Sequence, residues 1–220
     1  MKHTFIAILL LFVTGSVFAQ DSSSPYYGFR LGLTAHPTIG WVKPQVGKSN
    51  GVALGFSYGL MGDFNFAENY SFATGLTITT INGKSTQIIT EETTPPTQIP
   101  YELKYKLQYI EVPLTIKLKT VKINDIRWYG QFGLSNDFNI GAKQDADAAG
   151  KSSSRDENIS KTIKLYRAGL ILGAGAEFDL SGNTSIAAGL TYNNGFTDIT
   201  TDKNNNIRNH YLGINFGVFF

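Results

Sequence analysis

The chain has 220 residues, a formal net charge of +2 and no cysteine. The missing cysteines exclude disulfide staples, thiolate metal sites, cysteine nucleophiles and a lipid-bearing N-terminal cysteine, and the balanced charge gives no electrostatic footprint for nucleic acid. Charged residues are only 16% of the chain, with 23 Gly, 15 Phe and 11 Tyr in their place. Ordinary soluble domains carry about 25%, and this mix suits closely spaced strands with aromatic girdles at membrane surfaces.

The N-terminus reads as a targeting segment. Lys2 and His3 form a short basic region, Phe5 to Val13 an apolar one, and Val17-Phe18-Ala19 obeys the small-residue cleavage rule. The expected cut precedes Gln20, making residues 1–19 a signal peptide and 20–220 one domain. The apolar run is shorter than the ~20 residues a spanning helix needs.

Beyond it, apolar residues recur with period two in eight segments. The first carries Tyr27, Phe29, Leu31, Leu33 and Ala35, and the second Val52, Leu54, Phe56, Tyr58 and Leu60. The third carries Tyr70, Phe72, Leu76 and Ile78. The fourth, from about Glu102 to Leu118, starts with Leu103, Tyr105, Leu107 and Tyr109. It continues in the opposite phase with Ile110, Val112, Leu114, Ile116 and Leu118, which predicts a bulge near Tyr109. Pro113 inside it must forfeit a ladder bond. The fifth carries Trp128, Phe132, Leu134 and Phe138, and the sixth Ala168, Leu170, Leu172, Ala174, Ala176 and Phe178. The seventh carries Ile186, Ala188, Leu190 and Tyr192, and the eighth Leu212, Ile214, Phe216, Val218 and Phe220.

Gaps alternate in length. Those at about 41–50, 82–101, 141–162 and 195–207 are long; those at about 66–68, 119–125 and 181–183 are short. Short periplasmic turns and longer outside loops are the pattern of an outer-membrane barrel. The second phase of each strand is mostly Gly, Ser, Thr, Ala and Asn, a poor solvated surface but a good lining for a narrow eight-stranded tube. The expected fold is therefore all-β: an eight-stranded antiparallel up-and-down transmembrane barrel behind a cleaved signal peptide, located in the outer membrane.

Charges in the polar phase then point inward: Arg30, Asp63, Glu111, Asp137, Arg167, Glu177 and Asp179. An isolated charge there costs several kcal/mol, so Arg30 and Arg167 are expected to pair with some of Glu111, Asp137 and Glu177 in a structural network. Phe220 ends an alternating strand and reads as the signal by which barrel-assembly machinery recognises its substrates.

Three stretches carry a family likeness: Tyr109-Ile110-Glu111-Val112-Pro113-Leu114 followed by Lys117, the Gly-rich run Gly169 to Phe178, and Tyr192-Asn193-Asn194-Gly195-Phe196-Thr197-Asp198-Ile199 leading to a Phe-ended strand. In these the chain resembles the PorT-like outer-membrane β-barrels of Gram-negative bacteria. The resemblance implies fold and location, and no particular activity.

No catalytic set emerges. His36 and His210 fall on the first and last strands and can both approach the outer rim, but two imidazoles are too few for a metal site. Asp145-x-Asp147-x-x-Gly150 and Asp202-x-Asn204-x-Asn206 are fragments of a calcium loop with ligands missing. No cofactor is expected. The expected partners are outer-membrane lipid, the assembly machinery and an envelope or extracellular protein meeting the outside loops. The expected role is structural, envelope-assembly or surface interaction without catalysis; the alternatives are a small pore, an outer-membrane enzyme or a periplasmic lipocalin-like binder.

Overall fold

Period-two alternation becomes strand wherever it runs uninterrupted. The computed structural model describes residues 28–91, 97–181 and 184–220, so the segment 1–19 and its cleavage site lie outside the described residues. The strands are β1 Gly28–Pro44, β2 Lys48–Ala67, β3 Tyr70–Glu91, β4 Thr97–Lys119, β5 Ile126–Ala148, β6 Ser154–Asn158, β7 Tyr166–Ser181, β8 Thr184–Gly195 and β9 Ile207–Phe219. Each long strand pairs antiparallel with its neighbours, β9 returns to β1, and β4 pairs with β5, so eight strands close into an up-and-down ring. The ninth, β6, stands outside that ring. It pairs with β5 at Lys143 to Ala146, beyond Phe138, where the β5–β7 pairing stops.

The two faces separate as the alternation predicts. Leu33, Leu54, Leu76, Trp128, Phe132, Leu190 and Phe216 point outward and are exposed, Leu54 by 72%. Thr38, Ser57, Thr79 and Ser135 fill the inside and are buried. An apolar surface wrapping the whole circumference far exceeds what a water-soluble monomer exposes; hydrocarbon is the solvent that suits it, because closure pairs the backbone around the ring.

The fourth segment departs from expectation. In β4 the odd residues face inward without a break from Leu103 to Lys119. The bulge lies on the partner strand: Gln108 faces Gly141 and Tyr109 faces Asn139, leaving Ile140 of β5 as the extra residue. Leu103, Tyr105, Leu107 and Tyr109 are therefore interior side chains, not lipid-facing ones. The apolar face did not switch; the filling of the tube did, from polar below to apolar above. Pro113 has its effect on the β3 side, where pairing lapses between Thr74↔Leu114 and Thr77↔Glu111.

The long gaps are also largely strand. β1 and β2 run on to Pro44 and from Lys48, and β3 pairs with β4 as far as Glu91↔Thr97. The connections at the opposite end stay short. Asn124 and Asp125 both have positive φ, 50° and 63°, between the mutually bonded Ile123 and Ile126, the turn geometry that a two-residue hairpin favours. That end also holds the start of β1 and the end of β9, which places it on the periplasmic side.

Glycines on the inner face make room for large rings. A Cβ on Gly175 would lie 2.3 Å from the Ala188 carbonyl oxygen and 2.6 Å from Tyr129 Oη, and one on Gly189 also 2.6 Å from that hydroxyl. Overpacking a close-fitted interior costs typically 1–3 kcal/mol. Gly175→Val is expected to lower the temperature at which the folded band converts to the unfolded one on a semi-native gel. Substituting the outward, exposed Leu190 by Val should leave it nearly unchanged.

Candidate functional site

The interior is where chemistry-bearing side chains collect, and they do so in layers. In the periplasmic layer, Arg30 of β1 faces Asp63 of β2 across the pair. Its guanidinium Nη2 donates to Asp63 Oδ2 at 2.8 Å and Glu177 Oε2 at 3.0 Å, and Nη1 donates to Ser185 Oγ at 3.2 Å. Lys117 Nζ donates to Asp63 at 3.1 Å and is ion-paired with Glu177. Lys119 Nζ donates to Asn65 Oδ1 at 3.0 Å and reaches Asp63 at 3.5 Å. Cations outnumber carboxylates here, and ring faces offset the surplus: Lys117 Nζ lies 4.4 Å from the Tyr129 centroid, and Arg30 lies 5.0 Å from that of Phe219.

The upper layer is built on Arg167, which is fully buried. It faces Asp137 across β7 and β5 and is ion-paired with it. Its Nη2 donates to Asn193 Oδ1 and to the Asn209 carbonyl, each at 2.9 Å, and its Nε donates to Asn209 Oδ1. Asn193 donates in turn to Ser135 Oγ at 2.9 Å. Gly195 is what leaves space for the guanidinium, since a Cβ there would meet Arg167 Nη2 at 2.7 Å. Glu111 belongs to this layer without touching an arginine: Tyr211 Oη donates to its carboxylate at 2.9 and 3.0 Å.

Between the layers lies a cavity of about 80 Å³, reached by His36, Thr77, Gln131, Thr191 and Asn215. Both ring nitrogens of His36 and the Asn215 Oδ1 are buried without a protein partner, so the cavity is polar and roomy enough for water. Above the Arg167 layer the tube turns apolar. Val42, Ile81, Leu103, Leu107, Tyr109 and Ile199 form the centre of a buried cluster.

Two connections close the outer mouth over that cluster. Lys164 N donates to the Ile199 carbonyl at 2.8 Å and Thr201 N to that of Thr162 at 2.9 Å. Asp198 ties the lid together, accepting from Lys164 Nζ at 2.6 Å and from the amides of Ile207 and Thr200 at 2.9 and 3.1 Å. Partial burial by itself raises this carboxyl, but the Lys164 bond and the two amides outweigh it and hold Asp198 below the ordinary carboxylate range.

Thus Arg30 contacts Glu177, Arg167 contacts Asp137, and Glu111 contacts a tyrosine. Asp63 proves to be the hub of the lower layer. Lys117 and Lys119 share the inward phase of Glu111 on β4, so alternation marks both as members. Asp179 sits lower, 2.9 Å from Lys122. His36 points into the tube and His210 outward, so the wall separates them. The first acidic fragment is occupied by cations, Asp145 by Lys106 at 2.8 Å and Asp147 by Arg155 at 2.7 Å, and in the second Asp202 accepts from the Asn204 amide at 2.9 Å. Among the described residues no group of His, Asp and Glu is arranged to hold a metal ion.

The family model described as "Outer membrane protein beta-barrel domain" matches residues 18–201. No curated protein matches the chain. Among solved structures it is similar to Neisserial surface protein A, with a TM-score of 0.49 and 16% identity, covering 90% of this chain and 98% of that one. It is also similar to OprG from Pseudomonas aeruginosa, with a TM-score of 0.47 and 12% identity, covering 91% and 99%. Ail of Yersinia pestis, solved with the heparin analogue sucrose octasulfate, gives a TM-score of 0.35 and 15% identity, covering 86% and 98%. TM-scores below 0.5 add no weight, and the family match stands by itself.

Removing one partner of a buried ion pair costs about 3–5 kcal/mol, because the other charge is stranded. Arg167→Met is expected to destabilise by that amount in urea titrations of the vesicle-inserted barrel. Adding Asp137→Leu should recover part of the loss, whereas simple addition of the two single effects would refute the coupling. The lid should respond to acid. A depressed carboxyl stabilises above its unfolded value and loses that contribution as pH falls through its folded value. Hydrogen exchange at Ile199 and Ile207 should stay slow at neutral pH and speed up only below the usual carboxylate range, while Asp198→Asn should speed it up already at neutral pH.

Proposed function

We propose that this chain, which belongs to the outer membrane protein β-barrel domain family, is a closed, non-catalytic barrel that braces the envelope and presents a surface outside it. The observation that carries the reading is the filled interior. From the periplasmic end upward, Lys117, Asp63, Glu177, Arg167, Leu107 and Ile199 are all buried, and the lid covers them. An ion crossing this tube would have to break two layers of paired charges and then enter an apolar plug. The charge layers serve as struts that hold the wall in register.

Among the described residues the side chains offer no reacting set either. His36 has no carboxylate or hydroxyl partner on its ring nitrogens, so nothing activates a nucleophile through it. The outward-facing leucines and phenylalanines disfavour a soluble periplasmic binder. A partner from the envelope or outside would meet the tall wall of β3, β4 and β5 and its appended strand β6, which rise above the lid. Kinship with the PorT-like barrels forms part of this proposal, on the three stretches named above.

Assembly would follow the usual export route. Residues 1–19 would be removed before Gln20, and the closing strand would be read by the assembly machinery. Phe220 completes the seam, exchanging backbone bonds with Leu31 at 2.9 and 3.2 Å. The expected result in cells is heat-modifiable protein in the outer-membrane fraction, beginning at Gln20, with less of it folded for Phe220→Ala. The purified chain in planar bilayers should give no discrete conductance steps; regular steps from folded protein would overturn the closed-barrel reading.

A further inference from the structure

The ring closes where β1 meets β9, and two cations face each other across that seam. Lys43 and Arg208 are directly opposite in register. Both are exposed on the outer wall, alternating with the inward Val42 and Asn209. Like charges directly opposite across an antiparallel pair are destabilising. Several other cations at the outer end have carboxylate partners: Lys106 with Asp145 and Asp156, Arg155 with Asp147, Lys164 with Asp198. Lys84 and Lys104 also face each other, but Lys104 has Asp145 opposite it on its other side. Among the described residues, Lys43 and Arg208 form no ion pair.

The surface below them continues in a fixed order. One step toward the membrane, Trp41 stacks on His210 at 5.7 Å and on Tyr192 at 6.1 Å. Trp and Tyr collect at the membrane–water interface, which puts the cation pair at headgroup depth on the outer side. The next outward pair along the seam is Ile39 and Leu212, with Leu190 and Ile214 exposed nearby. Charge, flat ring and aliphatic surface follow one another along the strand, as phosphate, sugar and acyl chain do in an outer-leaflet glycolipid.

We propose that the outward face of the β1–β9 seam binds such a lipid. Its phosphate bridges Lys43 and Arg208, its sugar lies against Trp41 and Tyr192, and its chains lie over Ile39 and Leu212. The phosphate relieves the repulsion at the closing pair, and the arginine supplies a fork suited to two phosphate oxygens. The inference rests on the outward apolar face meeting lipid. The continuous aliphatic run distinguishes a lipid phosphate from a free one.

The test uses the purified, folded chain in detergent micelles with added lipid A, the bound lipid being counted by native mass spectrometry. The chain should retain lipid A in preference to its dephosphorylated form. Lys43→Gln with Arg208→Gln should weaken retention about ten- to thirty-fold, at roughly 1 kcal/mol per cation near a charged lipid surface. Lys84→Gln with Lys104→Gln should not. Heat-modifiability of each variant separates loss of the lipid from loss of the barrel; if the double variant does not fold, each single variant should lose several-fold. Equal retention by the variants, equal retention of dephosphorylated lipid A, or displacement of lipid A by millimolar inorganic phosphate would each overturn the proposal.

Discussion

A ring of eight strands leaves an interior only just wide enough for side chains, and this narrowness governs the molecule. Little space is left for water, so each inward charge must find its counter-charge or hydrogen-bond partner within the wall. Arg167 answers with Asp137, Asn193 and Asn209, and Asp63 answers by holding Arg30, Lys117 and Lys119 together. Each layer joins strands that are not neighbours in the ring: Arg30 and Glu177 come from β1 and β7, and Glu111 and Tyr211 from β4 and β9. The layers cross-link the tube as spokes would.

The same narrowness sets what the small residues do. Where a ring or a guanidinium crosses the lumen, the strand beneath it carries glycine, as at Gly175 and Gly189 under Tyr129 and at Gly195 beside Arg167. The glycine-rich stretch of β7 is thus a record of what lies opposite it. The outer surface obeys a separate rule, since hydrocarbon asks only for apolar bulk and aromatic rings near its two boundaries. The phenylalanines Phe29, Phe64 and Phe72 cluster toward the periplasmic boundary and Trp41 with Tyr192 toward the other.

Beyond the membrane the tube changes character. The interior of the outer section is an ordinary hydrophobic core, with Leu107, Tyr109, Ile81 and Val42 packed under Ile199 and Ile163. β3, β4 and β5 continue past it as paired strand rather than loop, and Asp198 fastens the lid from above. A rigid wall and a fastened lid present a defined surface, which suits recognition better than mobile loops would.

Period-two alternation, read together with the composition of its two faces, determined the all-β fold, the eight closing strands, the outward face of all but the outer half of the fourth, and the inward direction of Arg30, Glu111, Asp137, Arg167 and Glu177. It did so because side chains on a strand have only two directions, and the two sets here differ sharply in polarity. Alternation carries no information about depth, about the stagger between neighbouring strands, or about which of two apolar environments a face meets. For that reason Leu103, Tyr105, Leu107 and Tyr109 read as lipid-facing when they fill the outer core, and the bulge fell on the wrong strand of its pair. Asp63 as a hub, the reach of Lys117 and Lys119 to it, and the meeting of Lys43 with Arg208 were decided only by tertiary structure, because ring closure and register set which side chains share a level.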